Sequence, residues 1–359
     1  MKAMKRGTAF LLAVLMMISA GCGGDTSWVF RSGEDVISAG MYIIGQINGF
    51  SEAMAKLAEE NENNTEFVMP DQKAFLKTTV DGKQADIWIN DAAKDFSREL
   101  IAVNRRFASL SLTLDESDNA FIENSISSAK SQNGDFYSKS GVSDESLRQL
   151  YAFARKRSKL FRTLYEEGGE FAVPESGLKD YFNENYGYAE LLPVSIPYLV
   201  PEGETRSLAE LREEAKANAD RFQKRAEEGE AMEILMHEWN TELSSSEEPL
   251  PTPTKEEISV LVSGNDRQEY GEEFVDAIIN VNPGEVGQFE SMGYIFVYKG
   301  RDVFEDPELF ESQRYMILIE MKTDAYEAKL KEWGNEIVLE ENVTALNRYK
   351  PGNIKFPEA

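Results

Sequence analysis

Cys22 is the one cysteine of this 359-residue chain, and it is therefore the one thiol available for chemistry. The residues before it are basic near the start, apolar from 9 to 18, and small at 19–21. A basic start, a short apolar stretch and a small-residue cleavage site are typical of an export signal. The apolar run is too short for a stable membrane-spanning helix. We therefore expect residues 1–21 to be removed and Cys22 to carry a thioether-linked diacylglyceryl group.

Two acyl chains on one residue attach a protein stably to a membrane, whereas a single chain binds only marginally. Gly23, Gly24 and Asp25 follow the cysteine, so residues 22–26 are interpreted as a short lipidated tether. The alternative is an ordinary secretory signal that happens to precede a cysteine. The chain has no second cysteine with which Cys22 could pair, which favours lipidation. The protein is thus predicted to act outside the cytoplasm, lipid-anchored to the bacterial cell membrane.

The other residue types offer little of the chemistry of an enzyme. His237 is the sole histidine and lies in a predicted helix, where a surface or half-buried histidine is the ordinary interpretation and a general base is the alternative. Residues 115–119 faintly resemble a calcium loop but lack its turn glycine and ligand spacing, so helix capping explains them better. No phosphate-binding glycine loop and no serine nucleophile elbow are present. We expect no metal site, no cofactor and no assigned catalytic residue.

Acidic residues dominate the charge of the chain. Lysine and arginine number 38 against 64 acidic residues, a net charge of −26, and loss of the three basic residues of the signal makes it more negative still. Nucleic acid is excluded as a partner, because binding to phosphates requires the opposite sign. An anionic membrane surface would also repel the body of the protein, which leaves the lipid as the anchor. The acidity would attract basic client segments, although a solvated surface is the simpler explanation.

The first half of the mature chain is predicted to be nearly all helical. Apolar residues recur there at three- and four-residue spacing, which indicates amphipathic helices. On the second of these helices Trp88, Ala92 and Phe96 share one stripe with further apolar residues. The predicted helices are one from its N-cap Ser38 to about Glu60, one over 84–109, one capped by Asp115, one capped by Ser143, and a shorter one with Pro174 at its first position.

The pattern changes between 187 and 303. Apolar residues at nearly every second position predict a strand over 188–200. The other elements predicted here are helices over 208–226, 231–243 and 272–279 and strands over 258–262, 286–289 and 294–298. A long amphipathic helix then begins at Pro307. The sequence therefore predicts an α+β fold, in which a helical domain built from residues 27–186 and 304–359 is interrupted by a small α/β domain over residues 187–303.

Three stretches carry a family resemblance, namely Phe30 to Ser38, Glu273 to Val286 and Gly293 to Lys299. They look like the strand, turn and first chaperone helix, the late parvulin helix with its glycine turn, and the last parvulin strand of the PrsA/SurA-like extracytoplasmic foldases. In that family a parvulin-type prolyl isomerase domain interrupts a helical chaperone domain. The resemblance implies a membrane-anchored chaperone or foldase that acts on unfolded or newly exported proteins through an apolar and aromatic groove of its helical domain.

The resemblance fails at the two parvulin histidines. The matching positions hold Ile196 or Pro197, depending on register, and Ile295. Rotation about a peptide bond has a barrier of roughly 20 kcal/mol, and lowering it requires placed dipoles, which aliphatic side chains lack. The parvulin-like domain is therefore expected to be inactive and to serve as a scaffold or peptide clamp. The alternative is an active isomerase with a rebuilt site around Tyr198 and Tyr294.

The residues predicted to bind peptide in this domain are Tyr198, Tyr294 and Phe296. A solute-binding lipoprotein is a third interpretation of the chain. It requires a two-lobed α/β architecture with a parallel sheet, against which the mostly helical first half argues. The oligomeric state stays open, with a homodimer among the alternatives.

Overall fold

The structure is a computed structural model that describes residues 27–62, 64–244 and 248–356. Cys22, the signal over residues 1–21 and the whole tether over residues 22–26 lie outside the described residues. The chain divides into two units: one comprises the residues up to Phe171 together with those from Thr323 onward, and the other is Ala172–Lys322. The domain boundaries at 187 and 303 stay predictions.

A small antiparallel sheet joins the two ends of the chain within the first unit. Its strands are β1 (Trp28–Ser32), β2 (Asp35–Ser38) and β9 (Glu340–Glu341), in the order β2-β1-β9. Gly33 turns the chain between β1 and β2 at a positive φ of 60°, which glycine adopts without strain. Because β9 comes from the far end of the sequence, the first unit requires both ends of the chain.

Side-chain caps start the helices of the first unit where the sequence predicts them. The hydroxyl of Ser38 accepts a hydrogen bond from the N–H of Met41, and Asp115 forms a reciprocal capping box with Asp118. The capping interpretation of residues 115–119 is thus confirmed. The other elements of this unit are α1 (Ala39–Glu60), α2 (Gln72–Phe75), β3 (Thr79–Val80), β4 (Lys83–Gln84), α3 (Ala85–Ser109), α4 (Glu116–Ser140), α5 (Asp144–Tyr165) and α13 (Val343–Arg348).

The second unit contains a four-stranded antiparallel sheet with the order β6-β5-β8-β7. Its strands are β5 (Tyr186–Ser195), β6 (Ser259–Ser263), β7 (Val286–Ser291) and β8 (Tyr294–Gly300). The strand predicted over 188–200 is wrong at its end, because β5 stops at Ser195. Pro197 has no N–H to donate to a neighbouring strand, so the chain leaves the sheet there.

Helices cover both faces of this sheet. Ile295 and Val297 on β8 pack against α7 (Leu208–Glu227) and α8 (Met232–Leu243), whereas Phe296 packs against α11 (Glu272–Ile279) on the opposite face. The remaining elements are α6 (Glu175–Asn185), α9 (Lys255–Ile258), α10 (Arg267–Tyr270) and α12 (Pro307–Asn335), within which the division between the units falls.

The predicted α+β class is confirmed, with a helical unit built from both ends of the chain and an α/β unit between them. One helix start differs from the prediction, since Pro174 is the N-cap of α6 and the helix begins at Glu175. Within the described ranges, no helix combines the length and the apolar character needed to cross a membrane.

Candidate functional site

A cavity of about 660 Å³ lies in the helical unit between α1, α3 and the part of α12 that follows Thr323. We call it the helical groove. Trp88, Ala92 and Phe96 on α3 line it at four-residue spacing, which places them on one face of the helix. All three side chains are half-buried, so each keeps some surface accessible to solvent. The stripe predicted from the sequence is thus only partly used for packing, and its remainder lines the groove.

Two glycines of α1 allow this helix to approach α3 closely. A Cβ atom at Gly49 would lie 2.9 Å from the Cβ of Ala92, and one at Gly45 would lie 2.9 Å from Cδ1 of Phe96. The aromatic ring of Phe96 is also held edge-on by Phe153 of α5, with 5.6 Å between ring centroids. The groove therefore has an apolar lining whose position is fixed by close helix packing.

Ion pairs surround the apolar lining. Three cations of the rim each lie beside an aspartate, at N–O distances between 2.7 and 3.0 Å. These pairs are Lys56–Asp81, Lys83–Asp91 and Arg98–Asp95. All are at least partly exposed, and exposed ion pairs contribute little to stability. They leave the groove open to water and surround its apolar lining with charge.

Arg157 of α5 connects the wall of the groove to α3 and α12. Its Nε lies 3.0 Å from Oε1 of Glu99 on α3, and its guanidinium also contacts Glu327 on α12. The hydroxyl of Tyr326 donates a 2.8 Å hydrogen bond to the carbonyl of Arg157. Burial raises the pKa of Glu99, Arg157 opposes that rise, and Glu327 adds to it. The two carboxylates thus share one cation, which holds α12 against the other helices.

The predicted peptide-binding residues of the α/β unit are only partly brought together. Tyr294 and Phe296 lie two residues apart on β8 with 5.7 Å between their ring centroids, but Phe296 is 8% exposed and packs within the core. Tyr198 lies beyond the end of β5 and is 81% exposed. Among the described residues it has no ring contact with the other two. Tyr294 and Tyr198 are therefore accessible to a peptide, whereas Phe296 supports Tyr294 from below.

An exposed apolar surface lies at the end of the sheet where β5 and β8 meet. The N–H of Ile196 donates a 2.8 Å hydrogen bond to the carbonyl of Gly293, which holds the segment after β5 beside the turn between β7 and β8. We call this surface the sheet-end patch. It consists of the exposed side chains of Tyr198, Leu199, Val200, Met292 and Tyr294.

Met292 belongs to this patch and was not anticipated from the sequence. It forms a two-residue hairpin turn with Gly293, and both residues have positive φ, 52° and 80°. Such a turn favours asparagine or glycine at both positions, so a methionine there is strained. It is 52% exposed, so burial offsets only part of this strain. A strained and exposed apolar residue in a patch is the kind of signal that marks a binding surface.

The positions that correspond to the parvulin histidines contain no polar side chain. Ile295 is 5% exposed and packs in the core beneath α7 and α8, and Ile196 packs against the same core. The carbonyl of Pro197 accepts a hydrogen bond of 3.0 Å from Nε of Arg212. His237 lies elsewhere, half-buried on α8, and its Nδ1 is 3.4 Å from the carbonyl oxygen of Pro251. The predicted position of this histidine on a helix is confirmed.

Solved structures similar to this chain are PrsA foldase proteins. The PrsA structure from Bacillus subtilis is 13% identical and covers 78% of this chain and 98% of its own, with a TM-score of 0.30. The foldase protein PrsA from Streptococcus pneumoniae is 12% identical, with coverages of 90% and 99% and a TM-score of 0.35. The foldase protein PrsA from Lactococcus lactis is 12% identical, with coverages of 92% and 100% and a TM-score of 0.35. No family model and no curated protein matches the chain.

Proposed function

We propose that the protein is an extracytoplasmic chaperone that binds unfolded segments of newly exported proteins in the helical groove. The observation that carries the proposal is the half-buried aromatic stripe of Trp88 and Phe96, which lines a cavity of about 660 Å³. Burial of apolar client side chains against these rings provides the free energy of binding. The surrounding charges keep the groove hydrated when it is empty.

The chemistry of the groove suits many clients rather than one. It contacts a bound segment through aromatic rings, small residues and exposed charges, and such contacts do not specify one sequence. A surface that accepts many partners binds each of them weakly. Weak binding is what a chaperone requires, because a client must leave the groove in order to fold.

Attachment to the membrane is the second part of the proposal. The export signal over residues 1–21 and the small residues before Cys22 support lipidation of that cysteine. The net charge of −26 would keep the body of the protein away from an anionic lipid surface, so the acyl chains would be its attachment. A lipid anchor would hold the groove near the place where exported chains emerge.

The α/β unit is proposed to bind peptide without isomerase activity. Ile196, Pro197 and Ile295 provide no hydrogen-bonding side chain where the parvulin family has histidines. The exposed rings of Tyr198 and Tyr294 in the sheet-end patch still offer an apolar surface to a client. This unit would thus act as a second contact for long unfolded segments.

An aggregation assay tests the proposal. The chain from Gly23 onward, which contains all described residues, should slow the aggregation of several unrelated unfolded proteins. Trp88→Ala should lose most of that effect, because it removes the largest side chain that lines the groove. Phe121→Ala is the matched control, since Phe121 is an aromatic residue on α4 that is 46% exposed and does not line the groove. No protection of any client, or equal protection by the Trp88→Ala variant, contradicts the proposal.

A further inference from the structure

The helical groove is lined by more carboxylates than cations, six against four. Three of the four cations are already paired with aspartates of the same lining, as described above. The charges that remain are Lys331 and the three glutamates Glu52, Glu99 and Glu327. Two of these glutamates share the single guanidinium of Arg157. The local excess is therefore negative, and three of the four lining cations already have a partner.

Glu52 contributes most directly to the excess negative charge of the groove lining. It lies on α1, its side chain is exposed, and no ion pair joins it to another described residue. Lys56, one turn further along α1, interacts with it only at longer range and pairs instead with Asp81. The position of Glu52 on the rim faces the same opening as Trp88 of α3. A carboxylate without a close ion pair and an aromatic ring that line the same groove can together bind a cationic side chain in two ways. The ammonium or guanidinium group can pair with the carboxylate, and it can also lie over the face of the ring.

The charge of the whole chain has the same sign as the local excess. With a net charge of −26, the protein attracts basic segments and repels acidic ones over distances comparable to the Debye length. The long-range field thus favours the encounter that the rim of the groove then stabilises. An acidic segment is repelled both by the long-range field and by the carboxylates of the rim.

We infer that the helical groove selects unfolded segments in which lysine or arginine flanks apolar residues. This inference rests on the proposed function, and it names the class of client that the same groove takes. Apolar client side chains pack on Trp88 and Phe96, and the flanking cations contact the carboxylates of the rim. Segments of equal apolarity with acidic flanks bind less tightly.

The test measures the binding of two fluorescent peptides to the chain from Gly23 onward. They share one core of leucine and phenylalanine, with lysines at both ends of one and glutamates at both ends of the other. At low salt the lysine peptide should bind about ten-fold tighter, a ratio that falls as salt screens the charges. Glu52→Lys should reduce this ratio to about three-fold or less. Glu167→Lys is the matched control, because it makes the same charge change at an exposed residue outside the groove.

The outcomes separate this inference from the proposed function. A ratio that Glu52→Lys lowers and Glu167→Lys preserves supports selection by the groove. An equal effect of the two substitutions assigns the preference to the overall charge and overturns the inference. Equal binding of both peptides, weakened for both by Trp88→Ala, also overturns it while the chaperone groove stands. If neither peptide binds, or if Trp88→Ala changes neither, the inference and the proposed function of the groove both fail.

Discussion

Gly49 on α1 faces Ala92 on α3 so closely that a Cβ at position 49 would lie 2.9 Å from the Cβ of Ala92. Neither atom can move without a shift of its helix, since both are attached to the backbone. The contact sets the separation of α1 and α3, and with it the width of the helical groove beside Trp88. The absence of a side chain at Gly49 thus determines the width of the groove that Trp88 lines.

We expect Gly49→Ala to destabilise the protein by about 1–2 kcal/mol, because overpacking outweighs the better helix propensity of alanine. It should also weaken client binding by moving α1 away from α3. Gly134→Ala is the control, since its new Cβ would meet nothing nearer than Cβ of Lys130 at 3.9 Å. Urea unfolding of both variants checks the prediction, and a Gly49→Ala variant as stable as Gly134→Ala would contradict it.

Asp118 is 2% exposed and is the centre of the polar contacts at the start of α4. Burial alone would raise its pKa, but the N–H of Asp115 and the side chains of Arg155 and Lys159 donate to the carboxylate and lower it below the usual value. A depressed folded-state pKa gives stability that is present at neutral pH and lost as the pH falls below about 4.

Asp118→Asn should therefore cost about 2 kcal/mol at pH near 7, and the difference from the wild type should shrink on acidification. Asp135→Asn is a suitable comparison, because the side chain of Asp135 is 96% exposed. Denaturant unfolding at several pH values measures both. A difference that stays constant with pH would show that the charge of Asp118 does not contribute.

Glu99 gives the opposite pH dependence. Its pKa is raised by burial, and Glu327 adds to the rise although Arg157 opposes it. Because its folded-state pKa is raised, protonated Glu99 contributes to the free energy of unfolding in acid. This contribution is lost as the pH rises above the ordinary glutamate pKa of about 4.3 and the carboxyl group ionises. The stability of Glu99→Gln relative to the wild type should thus increase between acidic and neutral pH. Glu167→Gln, at an exposed residue, is the comparison in the same unfolding experiments, and a stability difference of Glu99→Gln that stays constant with pH would contradict the prediction.

The helices follow from the sequence because their determinants are local. Ser38 and Asp115 cap the helices that follow them, as their residue types predict, and the period of apolar residues identifies α3 and α11. Local patterns also identify the hairpin of β7 and β8, since Gly293 lies between two apolar runs. These features require no knowledge of distant contacts.

The helical groove does not follow from the sequence, because residues from three distant segments line it. Gly49, Trp88 and Leu330 meet there, and no local pattern relates α1, α3 and α12. The end of β5 at Ser195 was missed for a different reason. The apolar alternation continues to Val200, but those residues form the sheet-end patch instead of a strand. An alternation of apolar residues predicts a strand whether those residues are buried in a core or exposed on a surface, so the sequence could not distinguish the two.

Met292→Asn tests the sheet-end patch. Asparagine tolerates the positive φ of this turn, so the variant should be more stable than the wild type by about 0.5–1 kcal/mol. The same change removes an apolar side chain that is 52% exposed, and the affinity for unfolded clients should fall. Met316→Asn is the control for loss of an exposed methionine away from the turn, as Met316 is 44% exposed on α12. If Met292→Asn is more stable but binds clients with unchanged affinity, Met292 does not belong to the binding surface.

The absence of parvulin histidines predicts that the α/β unit does not catalyse prolyl isomerisation. Acceleration requires dipoles placed at the rotating bond, and the buried Ile295 can provide none. The chain from Gly23 onward should leave the isomerisation rate of several X-Pro peptides at its uncatalysed value, with circular dichroism confirming that the sample is folded. Rates well above background, reduced by Tyr198→Phe or Tyr294→Phe, would instead assign an active site to the two exposed phenols. Ile295→His alone should not create activity, because it places an imidazole in the apolar core beneath α7 and α8 and destabilises the unit.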